Sequence, residues 1–147
     1  MSQKAKLLAM VENDIASDLE AFSQMLPLLD QLHERLLAHD GAGIEALNQR
    51  LDPWLAAIAE RDARRSKILT AFGLAADASG MARLLSAYPA PRRDTLARQW
   101  QQLGEIALQC RQRNERNGRL LAMHNEILSQ LLTGAGQDAA VYDQQGY

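Results

Sequence analysis

From Leu96 to Leu131 apolar residues recur in alternating steps of four and three, through Leu96, Trp100, Leu103, Ala107, Cys110, Asn114, Asn117, Leu121, His124, Leu128 and Leu131. Such a seam belongs to a helix packed lengthwise on others, so much of the chain is committed to one long helix that needs neighbours. Asn114, Asn117 and His124 interrupt the apolar run. Buried polar side chains at such positions fix register at some cost in stability. Gly118 follows in mid-helix, where Gly costs about 1 kcal/mol relative to Ala. Either something approaches the backbone there or the helix bends.

The same alternation runs upstream through Leu8, Val11, Ile15, Leu19, Phe22, Leu26, Leu29, Leu32 and Leu36. It predicts a helix from Ser2 to Ala38, roughly 55 Å long at about 1.5 Å per residue. Pro27 removes one backbone hydrogen bond and predicts a kink over 23–27. A turn is expected at Asp40-Gly-Ala-Gly43. A second helix then follows Ile44, Leu47, Leu51, Leu55, Ile58, Ile68, Leu69 and Phe72, with Asp62 and Arg65 at seam positions and Pro53 as a candidate break near Leu51. Gly73 is its expected stop. Met81, Leu84, Leu85 and Tyr88 would make one patch on a short helix capped by Asp77 or Ser79, which Pro89-Ala-Pro91 ends. Asp94 is then expected to cap the seam helix, which runs to about Leu132.

The 47% hydrophobic fraction is mostly Leu and Ala, and aromatics make up 5%. That balance favours long helices over β-sandwiches, and 147 residues suffice for one self-supporting core. The expected fold is all-α, an elongated antiparallel bundle of long coiled-coil-like helices with a short connector helix over residues 1–133. Residues 134–147 carry three glycines and only Val141, Tyr142 and Tyr147 as large apolar groups, so a flexible tail is expected there.

Sixteen basic against eighteen acidic residues leave a net charge of −2, which supplies no broad positive field for nucleic acid. Two arginine groups, Arg61, Arg64, Arg65 with Lys67 and Arg111, Arg113, Arg116 with Arg119, interleave with acids and read as solvated helix faces. The single Cys110 forms no internal disulfide and sits on the seam as a small hydrophobe, consistent with a reducing, cytoplasmic setting. No apolar run approaches the roughly 18 residues of a membrane span, so no direct membrane insertion is expected.

Catalytic chemistry is not indicated. No Gly-x-Ser-x-Gly, phosphate loop or dinucleotide glycine pattern is present, and the three histidines lie apart in sequence. His39-Asp40 reads as a polar pair at a helix end. Asp30-Gln-Leu-His33 is half of the paired carboxylate-x-x-His pattern that a di-metal bundle requires, and His124 reads as a core histidine. The expectation is a non-enzyme with no cofactor and no metal.

Leu120, Leu121, Met123, Ile127, Leu128, Leu131 and Leu132 spread over about half the helix circumference at roughly 100° per residue. One neighbour does not cover so wide an arc. Either this third is central in the bundle or it offers a face to a partner helix.

Asn114-x-x-Asn117-Gly118-x-Leu120-Leu121, followed by Val141-Tyr142-Asp-Gln-Gln-Gly146, resembles the FlgN-type flagellar export chaperones. Two long N-terminal helices, Arg61 to Arg65 and Phe72-Gly73 ending the second, the short connector and Trp100 opening the last helix are similar to the family layout. The resemblance implies a cytoplasmic chaperone without ATPase activity. It would bind hook-filament junction proteins, prevent their premature assembly and deliver them to the flagellar type III export gate. Client binding is then expected on Asn114, Asn117, Gly118, Leu120, Leu121, Ile127, Leu128 and Leu131, with the two asparagines either touching client or setting register. The resemblance assigns gate docking to Tyr142. The alternative from the residues alone is a structural coiled-coil module forming a homo-oligomer, a homodimer in its simplest form.

Overall fold

In the computed structural model, which describes residues 2–134, Ser2 opens the first helix by accepting the Ala5 amide on its side chain at 3.1 Å. This helix, α1, spans Gln3–Leu37 and continues through Pro27. Its buried apolar residues run Val11, Ile15, Ala21, Met25, Leu28, Leu29, Leu32 and Leu36. It ends at a left-handed residue, His39 with φ of 53°. The Asp40 amide returns to the Arg35 carbonyl and the His39 amide to that of Leu36, so the last carbonyls of α1 are satisfied.

The turn is therefore shorter than expected at Asp40–Gly43. Asp40 caps the second helix, α2 (Gly41–Ala71), by accepting the Gly43 amide at 3.0 Å, which places the glycines inside its first turn. Nor does Pro53 break α2. It lacks one amide, but Leu47 and Leu51 before it and Trp54 and Ile58 after it pack on the same core, and that packing holds the helix in line. Gly73, with φ of 72°, ends α2 as anticipated; the Leu74 amide bonds the Leu69 carbonyl and the Gly73 amide that of Thr70.

The connector helix α3 (Ala78–Leu85) is capped by Asp77 and buries Met81, Leu84 and Leu85, with Tyr88 buried just past its end. The seam helix α4 spans Arg92–Gly134. Asp94 is not its cap, because Arg93 and Thr95 already bond the Pro89 and Pro91 carbonyls and the helix starts before it. In the first turn the Asp94 carboxylate still meets the positive end of the helix dipole.

Cross-links set the directions. Asp14 pairs with Arg64 and Asp18 with Arg61, so α1 and α2 are antiparallel. Glu12 pairs with Arg92, Phe22 with Cys110 and Leu29 with Asn117, so α4, returned by α3, runs parallel to α1. Helix α1 is central and packs closely on both long neighbours, whose backbones stay further apart and which meet through side chains such as Arg65 and Trp100. One core joins Val11, Ile15, Ile68 and Leu96 to α3; the other joins Met25 to Leu36 with Leu47, Leu51 and Cys110.

An ionic layer lies between the two cores. Asp14 and Asp18 are buried, and Arg64 holds Asp14 through two bonds of 2.7 and 2.8 Å. Arg61 and Arg65 both bond Asp18, and the Arg65 guanidinium stacks 5.2 Å from the Trp100 ring centroid. The solvated-face reading is corrected here: a guanidinium whose partner carboxylate is buried on α1 turns inward with it. Arg113 and Arg116 reach the exposed Asp30 on α1 and are partly exposed with it, and Lys67 and Arg119 stay exposed. Arg111 does face solvent, 3.9 Å from Glu115.

Candidate functional site

Because the backbones of α2 and α4 stay apart where they flank α1, a trench of about 440 Å³ opens between them above the middle of α1. Phe22, Met25, Leu29 and Leu32 form its floor. Asn48, Leu51, Asp52 and Leu55 form the α2 wall, and Ala107, Cys110, Arg111 and Asn114 the α4 wall. Leu55 is 49% exposed. Burial pushes the Cys110 thiol up to about 11, against a weaker lowering by Arg113. The group therefore stays a protonated, small apolar surface at neutral pH, donating to the Phe22 carbonyl at 3.6 Å.

The trench narrows toward the α1–α2 turn into a cavity of about 20 Å³ bordered by Leu32, Leu36, Ile44, Asn48, Asn114, Asn117, Gly118 and Leu121. Here the two seam asparagines differ. Asn117 is buried and donates through Nδ2 to the Leu29 carbonyl at 2.9 Å, whereas Asn114 is exposed on the trench wall. The Asn117 Oδ1 has no partner among the described residues. Gly118 borders this cavity, and α4 runs on through it without interruption.

Leu120 and Leu121 are half-buried against the second core. Further on, Met123, Ile127 and Leu131 are 59%, 52% and 66% exposed. The cause is length. The 88-position offset between Leu29 and Asn117 recurs between Phe22 and Cys110, so Leu37, the last residue of α1, stands level with Asn125. The remaining turns of α4 project past α1, and Ile127 and Leu131 lie one turn apart on that projection. Of the two readings of the wide arc, the exposed face is the one observed. Leu128 is on the same stretch of helix, but its side chain lies outside the described set, as does that of His124. Tyr142 and the expected tail beyond Gly134 are also outside the described residues.

Sequence periodicity located α4's part of this region and missed the rest. Met25 and Leu29 on the floor and Leu51 and Leu55 on the far wall carry only a generic helical pattern, and nothing local marks them as one side of a cleft. Among the described residues no group of three His, Cys, Asp or Glu is placed to hold a metal ion. Asp30 and His33 separate in role: Asp30 pairs with arginines, and His33 Nδ1 is buried without a partner among the described residues. No helix among them is long and apolar enough to cross a membrane.

The family model FlgN, described as FlgN protein, matches residues 5–147. No curated protein and no solved structure matches.

Proposed function

The chain belongs to the FlgN family of flagellar export chaperones, and on that premise we propose that it holds hook-filament junction proteins in the cytoplasm, prevents their premature assembly and delivers them to the type III export gate. The observation that carries this reading is the apolar end of α4, where Met123, Ile127 and Leu131 stand exposed past the end of α1. A soluble chain leaves such a face uncovered when a partner is meant to cover it.

The mechanism is helix-in-groove capture. A client segment that is unpaired before secretion lays its apolar side on Leu121, Ile127, Leu128 and Leu131, beside the Asn114, Asn117, Gly118 and Leu120 element. Burial of apolar area holds it, at about 25 cal/mol per Å². No covalent step is involved, and a modest interface lets the client go. Tyr142, matching the family's tail tyrosine, docks the loaded chaperone at the gate.

Calorimetry of the full chain against a hook-filament junction protein tests this, with an Ile127→Asp/Leu131→Asp double variant alongside. The wild type binds and the double variant, still folded by circular dichroism, loses at least about tenfold in affinity, or 1.4 kcal/mol. Unchanged affinity removes this site. A mass that rises with concentration, together with no client binding, moves the face to a homo-oligomer contact.

A further inference from the structure

Resting on that reading of the chain as a client-binding chaperone, we infer that the trench between α2 and α4 is a second seat for the client. It receives an amphipathic helix with its apolar stripe on Met25, Leu29, Leu51 and Leu55, a basic flank toward Asp52 and an acidic flank toward Arg111.

Shape comes first. Three long helices surround one side of a concave strip whose floor is apolar, which is the vacant place of a fourth helix in a bundle. A second copy related by a two-fold axis would set concave on concave, whereas a single free helix is convex and one helix wide. The trench runs along α1 from Phe22 to Leu32, about 15 Å at 1.5 Å per residue, enough for roughly three turns.

Charge then selects among apolar helices. The α2 rim presents the exposed carboxylate of Asp52, and the α4 rim presents Arg111, whose 3.9 Å contact with Glu115 is a loose exposed pair that a better partner displaces. Opposite signs on opposite rims fit a helix whose apolar stripe is flanked by Lys or Arg on one side and Asp or Glu on the other, in one orientation only. Beyond the trench α4 continues to the exposed face at Met123, Ile127 and Leu131, so the two seats lie in line along one helix.

The test is calorimetry of full-length Leu55→Asp and Asp52→Arg variants against the same junction protein, beside the Ile127→Asp/Leu131→Asp variant. Leu55 is half-exposed and Asp52 exposed, so neither change threatens the fold, and the Asp52 variant stands alone if the Leu55 variant does not fold. Leu55→Asp is expected to weaken binding about tenfold or more, and Asp52→Arg about threefold or more. If both bind within about twofold of wild type while the double variant fails, the client lies on the α4 end alone, and the trench seat is overturned with the chaperone reading intact. If every variant binds like wild type, both fall. If Leu55→Asp changes the concentration dependence of the mass and leaves client affinity alone, the trench joins copies of this chain and the inference falls.

Discussion

Asn117 on α4 donates through Nδ2 to the backbone carbonyl of Leu29 on α1 at 2.9 Å, across 88 positions of sequence. The bond ties two parallel helices at one level inside an otherwise apolar core. The other polar atom of the Asn117 side chain, Oδ1, is buried without a partner among the described residues.

Asn117→Leu is expected to leave the melting temperature unchanged or raised. It removes an unsatisfied acceptor, and apolar replacement of buried polar groups is often neutral or stabilising. Asn117→Asp removes the donor and buries an unpaired charge in its place, at a cost of about 3–5 kcal/mol. Urea denaturation of the two variants reads the contrast, and a loss with Leu as large as with Asp would refute it.

Asp18 carries the sharpest stability prediction. It is 2% exposed and is bonded by both Arg61 and Arg65. Asp18→Leu strands Arg65 in the interior and is expected to cost about 3–5 kcal/mol. Glu12, on the exposed pair with Arg92, is the control: Glu12→Ala should change stability by less than about 1 kcal/mol. Equal losses at the two sites would mean that the layer is not buried as described.

Alkaline pH should loosen the bundle. Burial raises the Cys110 thiol from 9.0 to about 11 and the Tyr88 phenol from 10.0 to about 12, the latter with a further push from Glu12 against a lowering by Arg92. The folded state therefore holds both protons more tightly than the unfolded chain. The stabilisation is whole below about pH 9 and is lost as pH climbs through 11 and 12. Cys110→Ala should flatten the earlier part of the decline, and Tyr88→Phe, which also deletes the bond to the Leu8 carbonyl, the later part. Melting temperatures across pH 8 to 12 would show it, and a profile identical in both variants would contradict it.

Two glycines should respond differently to Ala. At Gly73 an added Cβ meets nothing within 4 Å, so Gly73→Ala costs only its left-handed backbone, about 1–2 kcal/mol. At Gly80 the same atom would lie 1.7 Å from the Ala75 carbonyl oxygen, so the turn before α3 must move. Gly80→Ala is expected to be the more damaging in denaturant titration, and the reverse order would show that this turn yields freely.

Periodicity and punctuation determined the elements. Steps of three and four carry α1, α2 and α4 in the sequence itself, and Ser2, Gly73 and Asp77 mark boundaries because a cap acts through amides and carbonyls within one turn of itself. The same locality explains the errors at Asp94 and Pro53, where neighbouring prolines or distant packing outweighed the local signal.

Only the tertiary structure decided which faces remain open. Asp14 and Asp18 occupy positions on the buried face of α1, and a buried carboxylate there requires cations, but only folding shows that Arg61, Arg64 and Arg65 arrive from α2. The asymmetry between Asn114 and Asn117 has the same origin, since Asn117 turns onto Leu29 of α1 while Asn114 lines the trench wall. Sequence alone determined that α4 is long and apolar at its end. That its last turns outrun α1, and that a trench lies upstream, depend on the register of helices far apart in the chain, which no local pattern specifies.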